Sequence, residues 1–86
     1  MSEEARMSLQ TVVHAWGYGP ASLPLFRQYG GATQAAVAIA MTHGWDPTKE
    51  GAWAIEITLP AGRDLALMAL KAEAQRDPAV VGWSFR

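Results

Sequence analysis

The chain has 86 residues, half of them hydrophobic and 17% charged, with no cysteine. That length makes one domain, burying only about 60–65% of its unfolded surface, so its stability margin is thin. Seven Lys and Arg against eight Asp and Glu give a formal charge of −1, and no basic run offers the clustered cations that nucleic acid or an anionic membrane needs.

Residues 1–6 are expected to fray as a flexible N-terminus, with 7–86 forming a single α+β domain. Leu9, Thr11, Val13 and Ala15 alternate with Gln10, Val12, His14 and Trp16, a β-branched run that suits a strand. Gly17-Tyr18-Gly19-Pro20 breaks it. Residues 21–29 read as a short helix. Ser22 stands at the N-cap, Pro24 in the first turn and Gly30 beyond the end. Leu23, Phe26 and the Tyr29 ring give it one apolar stripe.

Residues 36–59 then alternate twice. Val37, Ile39, Met41, His43 and Trp45 oppose Ala36, Ala38, Ala40 and Thr42. Trp53, Ile55, Ile57 and Leu59 oppose Ala54, Glu56 and Thr58. Period-2 alternation puts the large residues on one sheet face and the small or polar ones on the other. Asp46-Pro47 opens the turn between the runs, and Gly51 closes it with positive φ. Leu65, Met68, Ala69 and Ala72 mark a helix over 63–76, with Asp64 in its first turn, Arg76 in its last and Asp77-Pro78 as its stop. Val81, Trp83 and Phe85 alternate with Val80, Gly82 and Ser84 in a final strand.

The order β-α-β-β-α-β predicts a ferredoxin-like domain, a four-stranded antiparallel sheet with two helices on one face. Residues 33–43 also fit a helix. Five alanines fall between 32 and 40, Thr33 is a cap and Gly44 an end. On that alternative the order becomes β-α-α-β-α-β, with three strands.

The absence of cysteine excludes thiolate zinc sites, disulfides and cysteine nucleophiles, and favours a cytoplasmic setting. The acidic start has no apolar signal-peptide core. The uncharged stretch from Gln28 to Trp45 is too polar to span a membrane.

No catalytic, metal or cofactor signature stands out. His14 and His43 are expected on opposite sheet faces, which denies them a shared metal. His14 and Glu56 are expected together on the uncovered face, with Gln10, Thr42, Thr58 and Ser84 nearby. A carboxylate that orients an imidazole is a recognised acid–base pair, and equally an ordinary cross-strand stabiliser. Gly17–Pro20 lacks the rest of a phosphate-binding pattern and reads as a plain turn. Of the four tryptophans, Trp53 and Trp83 are expected in the core, and Trp16 and Trp45 half-exposed at strand ends.

The expected function is therefore a small non-enzymatic protein–protein interaction or regulatory module. It acts as a homodimer or other homo-oligomer, or docks on a larger protein as a phage or plasmid inhibitor does. The contact surface is the uncovered face, with Trp16, Ala38, Ala40, Thr42, Trp45, Ala54, Glu56 and Thr58. The alternative is a small enzyme or ligand-sensing domain using His14 and Glu56. No cofactor, metal, nucleic acid or membrane partner is expected.

Overall fold

The computed structural model describes residues 11–31, 33–60 and 62–85, and the expected fraying of 1–6 lies outside that range, as do Leu9 and Gln10. Six elements follow in order: β1 (Thr11–Tyr18), α1 (Pro24–Tyr29), α2 (Gln34–Thr42), β2 (Ala52–Leu59), α3 (Asp64–Arg76) and β3 (Val80–Phe85). The three strands form one antiparallel sheet, ordered β2-β1-β3. β1 pairs with β2 from Thr11↔Leu59 to Tyr18↔Ala52, and with β3 from Val13↔Phe85 to Gly17↔Val80. Its residues from Val13 to Gly17 are buried without alternation, as a strand covered on both faces requires.

Two expectations change here. The sheet has three strands, not four, because residues 34–42 form a helix instead of the first hairpin strand. The physical reasons lie in the sequence. Thr33 Oγ1 accepts the Ala36 N–H at 3.0 Å and caps the helix start. At the other end Gly44 adopts φ 88°, its N–H donates to the Met41 carbonyl, and the Trp45 N–H reaches back to the Ala40 carbonyl. That bond pair is a Schellman closure, and only glycine takes the left-handed position without penalty. The helix buries Ala36 and Ala40, one turn apart, while Met41 stays exposed. The element order is thus the three-stranded alternative.

The second change concerns α1. Its N-cap is Leu23, with no side-chain cap, and Ser22 instead donates its N–H to Asp77 Oδ2 at 2.7 Å. Pro24 does open the helix. The Tyr29 ring lies outside the described side chains.

The sheet separates two cores. On one face, Val13, Ala15, Ile57 and Leu59 pack with Leu23 and Phe26 from the α1 region and Leu70 and Ala74 from α3. On the other, Trp16 and Ala54 pack with Ala36, Ala40 and Trp45 from α2 and its exit. Trp16 needs room across the sheet: a Cβ on Gly82, its partner on β3, would stand 2.6 Å from the indole.

Candidate functional site

His14 and Glu56 meet as the topology requires. They are directly opposed in the β1–β2 register, and His14 Nε2 lies 2.8 Å from Glu56 Oε2. Glu56 is anchored further through its backbone, which exchanges two hydrogen bonds with Gly31. The side chains are 5% and 25% exposed. His14 Nδ1 is enclosed and has no hydrogen-bond partner among the described residues. An acid–base catalyst must present a ring nitrogen to substrate, and here one is held by the carboxylate and the other is buried. The geometry is that of a brace between strands. Ser84 opposes His14 from β3, as expected, while Thr58 is exposed and Thr42 Oγ1 donates to the Ile39 carbonyl.

The face expected to be open is covered. Trp16, Ala40, Trp45 and Ala54 are buried in the core beneath and around α2. Ala38 and Thr42 are exposed on α2, and Glu56 is half-buried. The helix also reverses the expected placing of the histidines. The His43 ring lies 5.0 Å from that of Trp16, on the sheet face that carries His14. Among the described residues, no three metal-ligating side chains come together.

Three of the four tryptophans depart from their expected places. Trp16 and Trp45 are buried, and Trp45 Nε1 donates to the Gly17 carbonyl at 3.1 Å. Trp53 is half-buried against the larger core and donates to the Gly19 carbonyl. Trp83 is exposed. These bonds, with Tyr18 and Gly19 N–H donating to the Ala79 and Gly51 carbonyls, commit the Gly17–Pro20 segment to holding strands together. Phosphate capture needs free amides; Gly17 and Tyr18 belong to β1, so the expected turn begins only at Gly19. In the following loop, the Thr48 hydroxyl and amide both donate to Asp46 Oδ1. They hold the Asp46 carboxyl below its ordinary range.

The sheet edges differ. β2 is bridged along its outer side by Gly31 and carries Glu56. β3 pairs only with β1 among the described residues and has no charged side chain. A register shift opposite Trp16 and Gly17 leaves Val81 as the extra residue of a bulge. Val81 is 55% and Trp83 39% exposed. The final strand's even alternation hid this, because the bulge takes Val81 out of phase with Trp83 and Phe85.

Missed altogether was Glu73, the one buried carboxylate among the described residues. The signal was available: it sits three residues after Leu70, on the buried stripe of α3.

No helix among the described residues is long and apolar enough to cross a membrane. Compared with protein-family models, curated proteins and solved structures, the chain finds no match in any of the three.

Proposed function

We propose that the chain is a non-enzymatic interaction module of the cytoplasm that pairs with a second copy of itself along β3. One observation carries this reading: β3 is an uncharged edge strand whose exposed side chains are Val81 and Trp83. Edge strands that avoid pairing are usually blunted by charge, proline or a cover. Among the described residues, β3 carries none of these, and its bulge at Val81 is the one feature that interrupts the edge. Two antiparallel β3 edges join the sheets of two copies without bringing like charges together. On α3, Met68 is exposed too, and one turn later the Lys71 ammonium sits 5.1 Å from the Phe85 ring at the end of β3.

Light scattering across micromolar concentrations tests the proposal. A dimer is expected, and Val81→Lys is expected to return it to a folded monomer. A parent chain that stays monomeric throughout removes the self-pairing.

A second reading, a ligand-sensing or enzymatic domain built on His14 and Glu56, is supported by their 2.8 Å contact. It requires a small molecule that moves the His14 ring resonances in a fragment screen by NMR. A screen whose hits leave those resonances unmoved removes it.

A further inference from the structure

Glu73 makes an incomplete set of hydrogen bonds. It is 7% exposed, on the inner stripe of α3 beside Leu70 and Ala74. Its Oε1 accepts the Leu25 N–H at 3.1 Å. Its Oε2 is buried and has no partner among the described residues. A carboxylate offers about four acceptor sites, so a single amide leaves most of its demand unmet, and a buried acceptor left unpaired is destabilising.

Glu73 also forms part of the wall of a hollow of roughly 500 Å³ between the start of α1 and the end of α3. Pro20, Pro24, Pro78 and Leu23 supply apolar walls. Asp77 and Arg76 supply the remaining charges. Asp77 is already engaged, one oxygen by the Ser22 N–H at 2.7 Å and the other by the Ala79 N–H at 2.9 Å. It fixes the rim. Arg76 Nε donates to the Ala72 carbonyl, which turns part of its guanidinium back to its own helix. Leu23 holds its backbone at φ 33°, with its side chain buried. A leucine in the left-handed region is strained, and here it sets the wall opposite α3.

We infer that this hollow binds a primary ammonium group carried on a short apolar body, with Glu73 Oε2 as its acceptor. Two carboxyl groups against one guanidinium give the lining a formal charge of −1, which favours a cation. An ammonium delivers three donors from a compact centre, which suits one unpaired oxygen beside a carboxylate that is already committed. Glu73 lines the hollow, and the broad terminal torsion of Glu lets its carboxyl turn to divide its acceptor sites between the Leu25 amide and a cation in the hollow. The prolines and Leu23 then cover the alkyl chain. The site lies on the sheet face away from His14 and on different residues from the β3 edge, so it stands independently of the proposed self-pairing.

Butylammonium chloride titrated into the intact chain, followed by ¹H–¹⁵N NMR, tests it. Saturable shifts of the Leu25 and Ser22 amides are expected, with none from matched sodium chloride. Glu73→Gln keeps the shape and an acceptor but removes the charge, and is expected to weaken binding at least about tenfold, since a charged acceptor bonds more strongly than a neutral one. Should that variant fail to fold, Arg76→Gln at an exposed position removes the competing cation and is expected to tighten binding. Shifts that rise linearly and equally in sodium chloride, Glu73→Gln binding as well as the parent, or Arg76→Gln leaving the affinity unchanged each overturn the inference.

Discussion

The two faces of the sheet are filled by opposite means. Against α1 and α3, large side chains such as Phe26, Ile57 and Leu70 interdigitate, and volume is what holds the layers together. Against α2, three alanines let the helix and strands approach closely, and two indoles, Trp16 and Trp45, pack beside its C-terminal exit. One face fails when volume is lost and the other when volume or charge is added.

The largest expected effect is on the alanine face. Ala40 is fully buried, so Ala40→Glu puts an unpaired carboxylate into that layer. The expected cost is at least about 3–5 kcal/mol, close to the whole stability of a small domain. Circular dichroism should show an unfolded chain. Ala38→Glu, two residues away but exposed, should stay within about 0.5 kcal/mol of the parent. Equal behaviour of the pair would break the comparison, because it would mean that α2 does not rest on Ala40.

Next comes Ile57→Ala on the other face, expected to cost about 2–5 kcal/mol through a cavity beside Phe26 and Leu70, read from urea midpoints. Ala36→Leu makes the reverse change beneath α2, with an expected cost of about 1–3 kcal/mol from overpacking. A stabilised Ala36→Leu would show a loose layer there and erase the contrast.

The smallest effect lies in the loop that carries the chain from α2 to β2. Thr48 holds the Asp46 carboxyl low, so the stabilisation it gives is present above the unfolded value of 3.8 and is lost as pH falls through the folded one. Asp46 is fully exposed, so the signal to follow is its carboxyl resonance, not melting. Its midpoint should fall below 3.8 and return towards it in Thr48→Val.

Some of this was legible in the residues. The β1–β2 pairing and the His14–Glu56 contact follow from alternation and topology alone. That expectation came from the ferredoxin-like order, in which the missing strand stands at the sheet's outer edge, so its loss leaves the β1–β2 pairing intact. The caps Thr33 and Gly44 named α2 correctly. Against them stood Val37, Ile39 and Met41, whose spacing of two imitates a strand. Alanine carries too little hydrophobic contrast to mark which period is real, and what decided the matter was a distant surface, Trp16 and Ala54, ready to receive small side chains. Burial of Trp45 followed from the same helix closure. Val81 was hidden by a bulge and Glu73 by its charge, since a hydrophobic pattern treats a carboxylate as solvent-facing.

The central strand has a consequence for how the molecule assembles. β1 is made before both of its neighbours, with His14 separated from Glu56 by 42 residues and from Ser84 by more. No hairpin joins any two strands of the sheet, so a local zipper cannot start it. Each ladder closes only after a long loop has been drawn in, which places the domain among the slower folders of its size. On the ribosome, β1 waits for partners that are still being synthesised, and what shields it in the interval decides how much of the chain escapes aggregation.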